Sequence, residues 1–447
     1  MPGRRFRGLE LLLLLLATGA SAIGFASLRW AGGAPPWRPE ALWPAGLLLG
    51  VALTVHVGLT LSRRPADEVL LPLVVTLIGL GLVLAQRLGG DDLLRRQALW
   101  LTIGGALLTL LLFAPHLLFF SKRFQFTWAA LGLLLVALTA VFGEGPGPGA
   151  PKLALSIGPL TFQPAEPLKL LLVLFFAGYL ADTQAVLLRT PLRWGGTLPY
   201  VLPLLLMLSL GVALLILQRD LGTAILLFGS FILLLYLATA QWLYPLAGLG
   251  GVAAAIWLSL RIVPLVQQRV SIWLDPWSQA SDRGYQVVQG FIAIASGGLL
   301  GRGLGQGMPD VVPAAHTDFV FAAIAEELGL LGAAAVLCAY LLLVHRGFRI
   351  ALDARHSYAR FLAAGSIIVI GLQALIILGG NLGLLPLTGL TLPFLSYGGS
   401  SLITNMVLVG LLLSASRPET APAAVPRPAR PRLEAQATLT TRGQGAA

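Results

Sequence analysis

Charge is scarce in this sequence. Only 11% of the 447 residues are Asp, Glu, Lys or Arg, and 57% are hydrophobic. Such a chain lacks the polar surface of a soluble globular protein, and a mean hydropathy of +0.84 points to a polytopic membrane protein. Cysteine is nearly absent: Cys338 stands alone, which excludes an intrachain disulfide and any Cys-cluster metal site. Acidic residues are few as well, 19 against 30 basic ones, for a formal net charge of +11. Much of the basic charge sits in short loops between apolar runs, so topology and the charge of the membrane surface explain it better than a nucleic-acid partner.

Apolar runs are what the chain has in quantity. A span takes about 20 apolar residues, and about twelve segments qualify. They lie near 9–28, 42–61, 69–86, 97–120, 125–143, 167–182, 197–217, 220–238, 242–261, 319–344, 360–380 and 399–415. The expected fold is therefore an all-α polytopic membrane protein of about 12 transmembrane helices. Arg4, Arg5 and Arg7 before the first run resemble a signal peptide, but its length and the second run close behind favour a retained helix. Arg63, Arg64, Lys122, Arg123, Arg189, Arg193, Arg346, Arg349, Arg355 and Arg360 fall on the same side as the first three. The positive-inside rule puts that side, and both termini, in the cytoplasm.

Three stretches break the pattern. Residues 143–169 are rich in Gly and Pro and cannot form a continuous helix. A large loop occupies about 262–318 on the outer side. Residues 380–401, GNLGLLPLTGLTLPFLSYGGSS, read as a re-entrant segment, which survives at membrane depth only when packed on protein or lining a wet cavity. The Pro/Ala-rich residues 418–447 read as a disordered cytoplasmic tail.

The polar residues that interrupt this apolar background converge on the outer face. Glu166 and Lys169 in QPAEPLK share a helix face at i, i+3, as a cavity group or a helix-end ion pair. Arg219 and Asp220 in QRDLG sit at an outer turn, where Asp220 also suits a helix cap. His316, Thr317 and Asp318 precede a helix expected to begin at Phe319; from spacing alone, capping is the better reading of Thr317 and Asp318. Glu326 and Glu327 lie about two turns deeper, where an ionised group costs several kcal/mol unless paired or used. Ser396, Tyr397 and Ser400 in SYGGSS offer hydroxyls and a flexible backbone, as a ligand-contacting loop or a plain turn.

In combination these strings resemble one family. GYQVVQGFIAIASGGLLGRGLGQG (284–307), HTDFVFAAIAEELGLLG and GLLPLTGLTLPFLSYGGSS, with DPW (275–277), QPAEPLK and QRDLGTA in the same order, are similar to the SEDS family of RodA, FtsW and SpoVE. The likeness covers roughly 69–417, a ten-helix core within 67–417, and leaves residues 1–66 as two additional N-terminal helices. It implies a peptidoglycan glycosyltransferase in the bacterial cytoplasmic membrane, polymerising lipid II into glycan strands at the outer face, for elongation or division. It also implies a class B penicillin-binding protein as transpeptidase partner. Carried over by motif, Asp318 is the essential acid, with Glu166, Lys169 and Asp220 as further family positions. Four departures stand out: Ala314 where Glu is common before HTD, Arg219 for Pro, Pro167 after Glu166, and Gly290 for Ser. DPW and GLTLPF lean toward FtsW.

The chemistry implied needs one base at the acceptor sugar hydroxyl, because the lipid diphosphate already leaves well. Asp318 is assigned that role, with His316 as alternative, and desolvation would raise the carboxyl toward a useful pKa. The departing diphosphate needs positive charge, for which Lys169, Arg219, Arg269, Arg283 and Arg302 are candidates. A divalent cation, magnesium or manganese, would bind through Asp318, Asp220 or Glu166, although no diagnostic metal spacing is present. The same features suit two other classes: a lipid II flippase or ion-coupled transporter, and a non-catalytic cell-wall scaffold.

Overall fold

The structure, a computed structural model, describes residues 7–61, 66–114, 116–143, 145, 152–157, 160–189 and 198–416. Arg4, Arg5, Arg63, Arg64, Arg193 and the tail 418–447 lie outside the described residues. The described chain is almost wholly helical. In order it runs α1 (Gly8–Ala31), α2 (Pro39–Leu61), α3 (Leu70–Phe113), α4 (His116–Arg123), α5 (Gln125–Phe142), β1 (Leu155–Ile157), β2 (Leu160–Phe162), α6 (Ala165–Arg189), α7 (Leu198–Leu217) and α8 (Leu221–Thr239). It continues with α9 (Leu243–Ile262), α10 (Pro264–Leu274), α11 (Tyr285–Ser296), α12 (Val320–Asp353), α13 (Ser357–Asn381) and α14 (Gly399–Ala415).

Ten of these helices are long and apolar enough to cross a membrane, and α14 is a shorter apolar helix. The 44-residue α3 breaks at Gly90, whose backbone is left-handed, into two legs. Those legs correspond to the segments expected near 69–86 and 97–120, so with α14 all twelve apolar segments have a helical counterpart. Burial separates the spans: α13 is 83% buried over its most apolar window and α9 only 6%. The first is the bundle's axis, and the second leaves its apolar surface for lipid.

The interruptions carry more structure than their composition suggests. Residues 143–169 contain a two-stranded antiparallel hairpin, Leu155 opposite Phe162. The large loop holds α10 and α11, neither of which the sequence reading separated. Between Asn381 and Gly399 the chain is irregular, with Leu390, Leu392, Phe394 and Leu395 buried against the bundle. At one end of the bundle, α1, α2, α3 and α12 are tied by polar contacts. Arg7 pairs with Glu10 and donates to the Ala66 carbonyl at 2.9 Å, and Glu10 meets His56 Nδ1 at 2.6 Å. Asp67 accepts from Leu70 N–H at the start of α3 at 2.9 Å and pairs with Arg346 at 3.2 Å. The large loop, α10, α11 and the HTD residues gather at the opposite end.

Candidate functional site

The site is built around one tight turn. Ala314 adopts a left-handed backbone, φ 53°, and its carbonyl accepts from the N–H groups of Thr317 at 3.1 Å and Asp318 at 3.0 Å. The Thr317 hydroxyl donates to the same carbonyl at 3.2 Å. Helix α12 starts only at Val320, and no side chain caps it. The capping reading of Thr317 and Asp318 is therefore corrected, as is the helix start at Phe319. The turn spends its hydrogen bonds on the Ala314 carbonyl, and the Asp318 side chain makes no cap bond to the helix.

Neighbouring elements pin the turn's backbone. Ser396 Oγ donates to the Thr317 carbonyl at 2.5 Å, and Tyr397 N–H donates to that of His316 at 2.8 Å. Asn381 Nδ2, at the buried end of α13, donates to the Asp318 carbonyl at 2.7 Å. Beneath it Phe319 is fully buried with Val312, Ala315, Ala293 and Ala322. This explains Gly290: a Cβ there would stand 2.4 Å from the Phe319 ring, so a serine would displace the ring.

Asp318 opens onto a cavity of about 230 Å³ that Arg269, Trp273, Arg283, Phe291 and Gly389 also line. Arg269, on α10, donates to the Thr388 carbonyl at 3.3 Å, and Trp273 one turn on donates to that of Gly383 at 2.8 Å. Together they lay α10 over the irregular segment. Gly389 is left-handed, and a Cβ there would come 3.9 Å from the Asp318 carboxylate, so the backbone passes close to the acid.

Burial pushes the Asp318 carboxyl above its usual range, opposed by the Thr317 hydroxyl and by the charge of Arg269. Burial also lowers Arg269, while Asp220 and Asp318 act to hold its charge. The His316 imidazole is lowered by burial, which favours its neutral form. Asp220, Arg269 and Asp318 thus form one electrostatic set. Asp220 accepts from Thr223 N–H at 3.1 Å and caps α8, and its other oxygen is buried without a hydrogen bond. Arg219 before it is exposed and left-handed, φ 62°. Non-glycine residues in that region cost about 1–3 kcal/mol each, and two of the four described here, Ala314 and Arg219, immediately flank these motifs.

The remaining residues singled out by the sequence stand elsewhere. Glu166 and Lys169 are a buried ion pair at 2.6 Å. Lys169 also donates to Gln373 at 2.7 Å, and Gln373 to the Thr391 carbonyl at 2.7 Å. Ser400 accepts from Gln163 N–H at 3.0 Å. These groups brace the irregular segment and are absent from the lining of the Asp318 cavity. Glu327 receives Arg87 at 2.8 Å and Gly305 N–H at 3.0 Å, while Glu326 receives Met308 N–H at 2.9 Å and lies 3.4 Å from Arg302. Both glutamates fasten the loop ahead of the HTD turn. Among the described residues no three His, Cys, Asp or Glu side chains form a metal-binding group. The positive charge felt by both Asp220 and Asp318 is Arg269.

Sequence reasoning missed Arg87, Gln373 and Asn381. Gln373 and Asn381 had a readable signal, two amides eight residues apart in an otherwise apolar span. Arg87 had none beyond its charge at the end of a span.

Fold and site together define an all-α polytopic membrane protein with a carboxylate cavity at one end. The chain belongs to the FtsW, RodA and SpoVE family of cell cycle proteins, whose profile matches residues 65–421. The peptidoglycan glycosyltransferase RodA of Mycobacterium tuberculosis is 35% identical over 465 residues, covering 99% of this chain and 96% of that protein. The probable peptidoglycan glycosyltransferase FtsW of Thiomicrospira cyclica is 36% identical over 368 residues, covering 79% and 92%. Among solved structures, a peptidoglycan synthase complex that coordinates polymerization and crosslinking contains a similar chain. It is 32% identical with a TM-score of 0.66, over 78% of this chain and 97% of that one. The rod shape determining protein RodA of Thermus thermophilus matches at 30% identity and a TM-score of 0.57, over 78% and 96%.

Proposed function

We propose that this protein is a peptidoglycan glycosyltransferase that polymerises lipid II into glycan strands at the outer face of the cytoplasmic membrane, with Asp318 as its general base. The observation that carries the residue assignment is the Asp318 carboxylate on the wall of a cavity shared with Arg269 and Arg283. The acceptor hydroxyl loses its proton to Asp318 as its oxygen bonds to the donor's anomeric carbon, and the bond to the lipid diphosphate breaks. A raised carboxyl pKa makes a stronger base than an ordinary aspartate. Arg269 and Arg283 supply positive charge for the departing diphosphate. They take precedence over Lys169, whose charge is spent on Glu166 and Gln373, and over Arg302, which faces Glu326.

In this reading the Arg7–Arg346 end faces the cytoplasm with both termini, and the Asp318 end faces outward. Residues 67–417 are the polymerase core and 1–66 an added pair of helices. The RodA match reaches across that pair, which supports a role in wall elongation. A class B penicillin-binding protein is the proposed crosslinking partner, on the pattern of the related synthase complex. The test is a gel assay of purified protein with lipid II: long strands are expected from the parent and none from Asp318→Asn. Undiminished strands from a correctly folded variant would remove Asp318 from this role.

A further inference from the structure

A second cavity, of about 640 Å³, lies where the two N-terminal helices meet the break in α3. Its walls include Arg29 from the end of α1, Glu40 and Trp43 from the start of α2, and Gln86, Asp91 and Arg95 from either side of the break. Gly305 of the large loop closes it, so it lies at the end of the bundle that carries Asp318. None of these side chains belongs to the Asp318 cavity.

Three features describe what it would hold. The first is depth. Trp30, Trp37 and Trp43 are 76%, 64% and 42% exposed within one short stretch, and tryptophan concentrates where lipid headgroups meet hydrocarbon. The second is unspent hydrogen bonding: Arg29 Nε and Gln86 Oε1 are buried without a protein partner, although buried polar groups are nearly always bonded. The third is charge. Arg87 also lines this space, but Glu327 and Asp310 neutralise it. Arg29, Arg95 and Glu40 have no ion-pair partner among the described residues, and Asp91 accepts only from Gln86 at 3.0 Å. Two cations and two carboxylates are left facing one volume.

We propose that this cavity binds the headgroup of a zwitterionic aminophospholipid, its phosphate on Arg29 and Arg95 and its ammonium on Glu40 and Asp91. Balanced lining disfavours a purely anionic headgroup, which leaves both carboxylates unanswered. A choline headgroup lacks the N–H donors the carboxylates can accept from. Deeper on α1, Leu16 and Ile23 are exposed, 61% and 60%, which provides apolar surface for acyl chains.

Short-chain phosphatidylethanolamine, phosphatidylglycerol and phosphatidylcholine can be titrated into the full-length protein in detergent. Phosphatidylethanolamine is expected to bind at least about tenfold more tightly than the other two, the scale of one charge-assisted hydrogen bond. Arg29→Gln should weaken all three lipids, and Glu40→Gln should abolish the preference among them while sparing phosphatidylglycerol. Soluble glycerophosphoethanolamine should displace the bound lipid, which separates headgroup binding from adhesion of the chains. Equal affinity for the three lipids, or failure of displacement, would overturn the proposal. Arg95→Gln, at an exposed side chain, serves if Arg29→Gln does not fold; an unchanged affinity in that folded variant would overturn it equally.

Discussion

Two sets of acids flank the start of α12, and they are used in opposite ways. Glu326 and Glu327 are 3% and 1% exposed, and each is met by a backbone N–H and an arginine. Asp318, eight residues earlier, is half-buried on a cavity wall with the Thr317 hydroxyl and the charge of Arg269 as its stabilising influences. Glu326 and Glu327 are held in a closed interior that a substrate cannot reach, so depth and burial alone do not identify a working acid. The one beside open space does.

The largest effect should come from the acid on the cavity wall. Asp318→Asn removes the base and should lower strand synthesis about 10²–10⁴-fold, the usual contribution of a positioned proton acceptor. Stability should move the other way. A carboxyl whose folded pKa is raised binds its proton more tightly folded than unfolded, so its ionisation costs stability as pH rises through the folded value. Asparagine carries no such cost, and the variant should melt at or above the parent temperature at neutral pH. A clear drop in melting temperature would make Asp318 structural and erase the contrast with the glutamates.

Arg87→Ala tests the other set. It strips the cation from Glu327 and the ties to Asp310 and the Gly307 carbonyl. Leaving a buried charge unpaired costs about 3–5 kcal/mol, which should appear as a large loss of unfolding free energy in detergent. The Glu166–Lys169 pair should behave likewise but be separable. Glu166→Gln and Lys169→Met each destabilise, and a double-mutant cycle should return about 0.5–3 kcal/mol of coupling; zero coupling would leave the pair without energetic content. Smaller again is Ser396→Ala, which loses the bond to the Thr317 carbonyl. It should cost about 1 kcal/mol of stability and reduce synthesis less than Asp318→Asn.

The spans were legible because apolar runs of membrane length have few alternatives, and every one has a helical counterpart. The helices α10 and α11 were not separated, because 12 residues or fewer of mixed polarity in a loop carry too weak a period to stand out. At the site, family likeness singled out Asp318, whereas spacing alone favoured a cap. The carbonyl of Ala314, which takes the turn's hydrogen bonds, leaves no trace in side-chain identity. For Glu166, Lys169, Glu326 and Glu327 a structural pairing was legible as one of two readings but could not be chosen, since the partners Gln373, Arg87 and Met308 N–H come from distant or irregular segments.

The smallest expected effect probes the electrostatic set itself. Asp220 and Asp318 both act on Arg269, so Asp220 takes part of the cation's stabilising influence and adds a negative charge of its own. Asp220→Asn keeps an N-cap acceptor for Thr223 N–H, because asparagine caps about as well as aspartate. It removes the charge. Arg269 then acts on Asp318 alone, the ionised carboxyl is favoured, and its raised pKa falls back toward the usual value. Synthesis requires the ionised base, so it climbs as pH rises through that pKa; in the variant the climb should begin at lower pH, by less than about one unit, with little change at the plateau. An unmoved midpoint would mean that Arg269 does not couple the two acids.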